Sequence, residues 1–439
     1  MVYAREDAGE VGRRKQVNSG ATGAGRRWNP ARVAPVLDFV IVLSLLVAPL
    51  AWLMDPWRLA VGPLRLSVSW SIKPVIVPVV LLALRGVLAR GFGGFLSRAL
   101  IKRLLLAVYA AWAMLLVAEG ALALAGFDRE IPPVTIEGDA GAEESPARFA
   151  HDAELGWVFQ RGGEFRGRPV NRLGFLDREV DVRKEPGTRR VICMGDSCAA
   201  QGSPPYSGYL HAQLAEDPVA PGNWEAFNVG VHGYSSWQGR KLYRLRVKEM
   251  APDVVTLHFG WNDHWSAPQP DSVRFGRVFG ARLGALLNAL HRKRFYAFMV
   301  HAARGPAKPD SGETLAVRVP PETYARTLRE WVDEIRADGA IPILVTAPRA
   351  ARLASQVVRN NKLADMEEAL AIHDRYVELT RRVANEKDVE IVDLAARFSG
   401  PDAAPLFSGD GIHFRKEGLR RIADEIHAHL RAMAERGDL

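Results

Sequence analysis

The chain has 439 residues, 48% apolar and 25% charged, with a formal charge of +8 at pH 7. That length exceeds one average domain, and that composition is of the globular kind rather than disordered or collagen-like. Two cysteines, Cys193 and Cys198, are too few for a disulfide framework or a cysteine-bound metal and read as small buried hydrophobes. The positive charge gathers towards the N-terminus with no nucleic-acid motif elsewhere, which indicates a membrane-facing basic region and not a nucleic-acid partner.

Residues 1–32 carry Arg5, Arg13, Arg14, Lys15, Arg26, Arg27 and Arg32 among Gly, Ser and Ala. Such a segment buries too little apolar surface to fold and reads as a basic cytoplasmic tail. It is too long and polar to precede the apolar core of a cleaved signal peptide. Region 33–126 then holds three apolar stretches, 33–54, 71–88 and 104–125. The first and third have the length of a bilayer span, about 20 residues. The second is interrupted by Lys73, Pro74, Pro78 and Arg85, and Glu119 is the only charge in the third. The expectation is a membrane region of about three transmembrane helices; buried helices of a soluble core are the alternative, which so few charges disfavour.

Charge beside the stretches sets orientation. The tail and the Arg85–Arg103 loop are basic, whereas Asp128, Glu130, Glu137, Asp139, Glu143 and Glu144 follow the third stretch. Three crossings therefore leave the rest of the chain on the extracytoplasmic side of the cytoplasmic membrane; two would keep it inside. Residues 127–150, with Pro, Gly and acids, read as a linker.

From 151 to 439 the pattern is that of one α/β domain. His151 to Glu185 suggests turns and short strands, including Leu155–Val158 and Val170–Phe175. Strand-like runs follow at Arg190–Met194, Ala226–Val229, Val254–Phe259, Ile341–Thr346 and Val389–Leu394. Helical patterns lie between them: one within Ala199–Leu214 that starts after a Gly/Pro-rich entry, then Gln238–Met250, Pro321–Ala337 and Glu367–Asn385. Pro321 at the start and Gly339 just past the end frame one of these helices. Alternation of this kind predicts a parallel sheet with helices on both faces. Pro268–Asp310 interrupts it and reads as a lid, a membrane-proximal insertion or a surface excursion.

Four loops carry chemistry. Val191–Met194 runs into Gly195-Asp196-Ser197, which sets a hydroxyl at the carboxyl edge of a strand, where open α/β sheets place their sites. Asn228-Val-Gly-Val-His-Gly233, Gly260-Trp-Asn262-Asp263 and Asp410-Gly-Ile-His413 follow later strands. Singly, each reads as a turn or a helix cap. Together they supply what acyl transfer at a serine requires. Ser197 is a weak nucleophile until a base takes its proton, His413 is such a base near neutral pH, and Asp410 can orient the imidazole. The N–H groups of Ser197 and Gly233 and the Asn262 amide are candidate oxyanion donors, each worth roughly 3–4 kcal/mol. Tyr234, Trp237, Trp261, His264 and Trp265 crowd these loops. They are candidate substrate-stacking residues, with plain loop packing as the alternative.

These blocks, in this order, resemble the SGNH hydrolases, also called GDSL-type esterases and lipases. The resemblance covers about Arg189 to Leu430, with Cys198 after the serine where other small residues are common. It implies a flavodoxin-like three-layer α/β/α domain. Ser197 would be the nucleophile, His413 the base and Asp410 its partner, with Ser197, Gly233 and Asn262 as the oxyanion hole. It implies no cofactor and no metal. The expected activity is that of a membrane-anchored serine ester hydrolase removing O-acyl groups from a glycan. A lysophospholipase or other lipid esterase, a polysaccharide O-acyltransferase and a non-catalytic polysaccharide-binding module are the alternatives. The bilayer and an acylated glycan or lipid ester are the expected partners.

Overall fold

The structure, a computed structural model, describes residues 30–54, 57–61, 64–68, 73–88, 99–127, 149–304, 316–361 and 363–439. It divides into two units, 1–112 and 113–439. The expected tail up to residue 29, part of the basic loop before Ala99 and residues 128–148 of the expected linker lie outside the described residues.

In the first unit the first two apolar stretches are helices, whose backbone groups pair within the segment. Helix Pro30–Met54 is followed by an antiparallel hairpin, Trp57–Val61 with Leu64–Val68, and by helix Lys73–Leu88. Asp38 and Arg85 join the two helices: Arg85 Nε donates to Asp38 Oδ1 at 2.6 Å and Nη2 to Oδ2 at 3.3 Å. Among the described residues two helices are long and apolar enough to cross a membrane, over Pro35–Trp52 and Lys102–Leu124. Helix Lys73–Leu88 has 16 residues, about 24 Å of rise against a hydrocarbon core of about 30 Å. Of the about three transmembrane helices expected, two are candidates on length and the one over 71–88 is shorter than the hydrocarbon core.

Helix Ala99–Leu124 leads into the second unit, whose frame is a five-stranded parallel sheet. The strands are β1 (Thr188–Gly195), β2 (Asn223–Asn228), β3 (Val254–His258), β4 (Ile341–Val345) and β5 (Glu390–Val392). Their spatial order is β2-β1-β3-β4-β5, every neighbour parallel. Strand period two sends Val191 and Cys193 to one face and Ile192 and Met194 to the other, and all four are fully buried. Burial on both faces is why these strands read as continuous apolar runs. One face packs against helices Tyr206–Glu216 and Lys416–Arg436; the other against Ser236–Leu242, Pro321–Ala337 and Met366–Lys387.

Local chemistry shifts some expected elements. The helix after β1 is split into Ser197–Ala200 and Tyr206–Glu216, because Pro204 and Pro205 cannot continue a helix. The helix after β2 starts at a Ser235–Gln238 capping box and ends in one π turn and one 3-10 turn, at Met250. Of the turns and short strands expected in His151–Glu185, Val170–Phe175 is a turn: Asn171 Oδ1 accepts the N–H groups of Leu173 and Phe175 at 3.0 and 2.9 Å, so they are unavailable to a ladder. The insertion after β3 is closed at its base by Ser266–Ala267 pairing with Ala316–Val317. It carries helices Asp271–Arg274, Gly280–His291 and Arg294–Arg304.

Candidate active site

The sheet order reverses direction between β1 and β3, which opens a crevice at their carboxyl ends. β1 ends at Gly195, where a Cβ would lie 2.6 Å from Ala199 Cβ and 2.7 Å from the His258 carbonyl oxygen. Glycine alone lets the end of β1, the end of β3 and the following turn meet so closely. Asp196 then caps the short helix, its carboxylate accepting the Cys198 N–H at 2.8 Å. Ser197 is the first helical residue and is 8% exposed.

The Asp410–His413 turn arrives from the far end of the chain. It is fixed by a Phe407–Phe414 bridge and by the Ser408 N–H donating to the His413 carbonyl at 2.7 Å. The segment after β4 holds it from the other side: Ala350 and Ala354 N–H donate to the carbonyls of Gly411 and Asp410 at 2.9 and 3.0 Å. His413 Nδ1 lies 2.5 Å from Asp410 Oδ2, and its Nε2 lies 2.9 Å from Ser197 Oγ. A carboxylate accepts, so Nδ1 carries the proton and Nε2 is left to accept from the serine hydroxyl. Asp410 Oδ1 takes three further donors, the N–H groups of Ile412 and His413 at 2.9 Å and the Ser408 hydroxyl at 2.7 Å. Burial alone would raise the Asp410 pKa, but the His413 hydrogen bond, its charge, and the Ile412 and Ser408 donors hold it well below the usual carboxylate range.

Gly233 sits after β2 at φ +78°, a conformation that glycine adopts without strain. Asn262 sits after β3 and is 7% exposed. Two buried carboxylates lie beneath these loops. Burial pushes Asp196 up to about 6, against the Cys198 N–H, the His413 charge and the Asn262 amide, which pull the other way. Burial pushes Asp263 up to about 7, opposed first by the hydroxyl and N–H of Ser236. That N–H donates to Asp263 Oδ1 at 2.9 Å.

Several residues at the site carry no motif. Ser408 adds a hydroxyl to Asp410, and its place two residues upstream is the one sequence signal it had. Arg318, 4% exposed, has none. Its guanidinium grips Asp271, with Nη2 2.8 Å from Oδ2, and Nη1 donates to the Gly233 carbonyl at 2.8 Å. Asp271 in turn accepts the Ser235 hydroxyl at 2.7 Å. An ion pair at the base of the insertion thus grips the backbone of the Gly233 turn.

The aromatic residues expected to stack on substrate mostly face inward. Tyr234 is fully buried, its hydroxyl donating to the Trp157 carbonyl at 2.5 Å. Trp261 stacks on His373 at 3.8 Å, and His264 Nε2 lies 3.1 Å from His373 Nδ1. Trp265 is 3% exposed, and Trp237 packs partly buried against the core. Rings whose faces are already occupied by protein offer no sugar platform, so the stacking role is withdrawn for Tyr234, Trp261, His264 and Trp265.

The family model described as "GDSL-like Lipase/Acylhydrolase family" matches residues 193–421, a little over half of the chain. Among solved structures, a lipase/acylhydrolase from Enterococcus faecalis is 17% identical, with a TM-score of 0.37, covering 56% of this chain and 96% of its own. Axe2, an acetylxylan esterase from Geobacillus stearothermophilus, is 18% identical, with a TM-score of 0.35 and coverages of 55% and 94%. A hydrolase from the metagenome of Lake Arreo, Spain, is 20% identical, with a TM-score of 0.35 and coverages of 55% and 94%. No curated protein matches.

Proposed function

The chain belongs to the GDSL-like lipase/acylhydrolase family and is a carboxylic-ester hydrolase; from that premise we propose that Ser197 is its nucleophile and that it acts at the outer face of the cytoplasmic membrane. The observation that carries the reading is the contact of 2.9 Å between His413 Nε2 and Ser197 Oγ. His413 takes the hydroxyl proton as Oγ bonds to the ester carbonyl carbon. The resulting oxyanion is held by N–H groups of Ser197, Gly233 and Asn262. Collapse breaks the bond to the leaving alkoxide, which takes the proton from Nε2. Water, deprotonated by the same nitrogen, then adds to the acyl carbon; collapse breaks the bond to Ser197 Oγ, which takes the proton back from Nε2, and the acyl group leaves as its carboxylic acid. Asp410 keeps Nδ1 protonated and stabilises the imidazolium that forms twice in the cycle.

The substrate class we propose is an O-acyl ester on an envelope glycan. With the aromatic rings turned inward, its support is topological. The ion pair of Asp38 with Arg85 sets the end of the second apolar helix level with the start of the first. The second helix therefore returns most of the way across, and a third crossing by Ala99–Leu124 leads outward. Protease treatment of intact cells tests this: cleavage of the C-terminal domain is expected, and full protection would mean a cytoplasmic domain. A lipid ester is the second reading, favoured by the exposed apolar residues of helix Arg294–Arg304, Phe298 and Met299 among them. An O-acyltransferase using the same serine would pass the acyl group to a sugar hydroxyl in place of water.

The catalytic test uses the full-length protein in detergent with p-nitrophenyl acetate and its longer-chain homologues. Loss of turnover in Ser197→Ala is expected, and equal rates in parent and variant would refute Ser197 as the nucleophile. A preference for acetyl over long acyl chains supports the glycan ester.

A further inference from the structure

The exposed apolar residues of helix Arg294–Arg304 form one stripe. Phe295, Phe298, Met299 and Ala302 fall at i, i+3, i+4 and i+7, one face of a helix. Phe298 is 42% and Met299 62% exposed, while Ala297, off that stripe, is 2% exposed. An apolar stripe left in water costs about 25 cal/mol for every Å² exposed. The surrounding charge is of one sign: from Ser272 to Pro309 there are eight Lys and Arg residues and no Asp or Glu.

The helix is also tied to the apolar helix Ala99–Leu124. Glu119 receives its first N–H groups, that of Arg294 on Oε1 at 2.9 Å and that of Phe295 on Oε2 at 3.1 Å. Arg294 Nε donates to the Phe127 carbonyl at 3.2 Å, and the Phe127 and Phe298 rings meet edge-on at 5.5 Å. Glu119 lies five residues before the end of its helix, about 7.5 Å along the axis. Helix Ala99–Leu124 is itself unlike the core helix of a soluble protein, since only 6% of its apolar window is buried. A carboxylate at such a depth is stabilised by the two N–H groups and the guanidinium that reach it.

We propose that helix Arg294–Arg304 lies in the surface of the bilayer that Ala99–Leu124 crosses, its apolar stripe among the upper acyl chains and its basic neighbours against anionic headgroups. The inference rests on Ala99–Leu124 spanning the membrane. Depth suits it: amphipathic helices of this kind bury their apolar face about 5–10 Å into the headgroup and acyl boundary, which matches the level of Glu119. The clamp makes the insertion a strut that holds the hydrolase domain at the membrane surface, within reach of esters displayed there.

The test uses the full-length protein in vesicles of phosphatidylcholine and phosphatidylglycerol, with an environment-sensitive fluorophore at one introduced cysteine. Cys193 and Cys198 are buried, and unsubstituted protein measures any labelling of them. Met299→Cys probes the stripe, Met114→Cys the span and Glu417→Cys the exposed surface of the hydrolase domain. Vesicles carry bromine either high or deep on the acyl chains. The expected result is loss of most of the Met299→Cys signal with high bromine, loss of the Met114→Cys signal with deep bromine, and no change at Glu417→Cys. A quenched Met114→Cys label beside an unquenched Met299→Cys label overturns the proposal and leaves the span intact. Failure of both labels to quench overturns the proposal together with the span.

Discussion

Ser197 and His413, 216 positions apart in the chain, stand 2.9 Å apart from Oγ to Nε2. The parallel sheet brings them together, because it delivers every βα connection to one edge. The contact stays short because each partner is held independently, Ser197 by the turn after β1 and His413 by the Asp410 turn.

Removing either partner should abolish turnover without unfolding the protein. Ser197→Ala and His413→Ala are each expected to lower kcat by up to about 10⁶, and Asp410→Asn by about 10⁴ through loss of the tautomer. Ester hydrolysis with a parallel thermal unfolding curve checks this. A small loss in His413→Ala would point to a different base.

With Gly233 proposed as an oxyanion donor, Arg318 should act as a positioning residue through its hydrogen bond to the Gly233 carbonyl. A missing oxyanion donor costs about 10²–10³ in kcat, and a donor that is only misaligned costs part of that. Arg318→Lys keeps the charge but not the fork, so kcat should fall about tenfold or more with KM nearly unchanged. Binding of a trifluoromethyl ketone, which mimics the oxyanion, should weaken in step with kcat. A purely structural role would lower stability and leave that inhibitor's affinity unmoved.

Asp263 should make the fold less stable as pH rises. Its folded pKa, about 7, lies above the unfolded value of about 3.9. Between those values the native state holds a proton that the unfolded chain has released, so stability falls with pH by up to about 1.4 kcal/mol per unit for one proton. Asp196, raised to about 6, adds to the lower part of the window. Melting temperatures from pH 4 to 7.5 should therefore decline more steeply in the parent than in Asp263→Asn. Parallel curves would mean that Asp263 is already ionised in the fold.

Gly195→Ala should destabilise by about 1–3 kcal/mol, the usual cost of forcing atoms into a packed site. The added methyl would meet Ala199 Cβ at 2.6 Å and the His258 carbonyl oxygen at 2.7 Å. Denaturant unfolding gives the number. Activity should fall as well, since the displaced turn carries Ser197.

How much of this was legible beforehand depends on how local the cause is. Each sheet strand was readable as an apolar run, with ends off by a residue or a few. The helix Pro321–Ala337 was readable to its ends from Pro321 and Gly339. The Gly/Pro-rich entry to the helix after β1 was legible as such. Whether Val170–Phe175 pairs as a strand or turns stayed open, and the Asn171 side chain decides it by taking two backbone N–H groups. Whether the aromatic residues beside the site loops stack on substrate or pack the loops stayed open as well, because composition does not say which way a ring points.

The sequence by itself determined the alternation of strands and helices, the order of four polar loops and the apolar stretches of the N-terminal region, since each depends on neighbours a few residues apart. Only the tertiary structure decided which carboxylates are buried, that Arg318 reaches Gly233, that Glu119 caps helix Arg294–Arg304 and that four of the five crowded aromatic residues serve packing. Those facts depend on groups brought together from distant parts of the chain, and their energies come from burial and from hydrogen-bond geometry that exist only once the layers have closed.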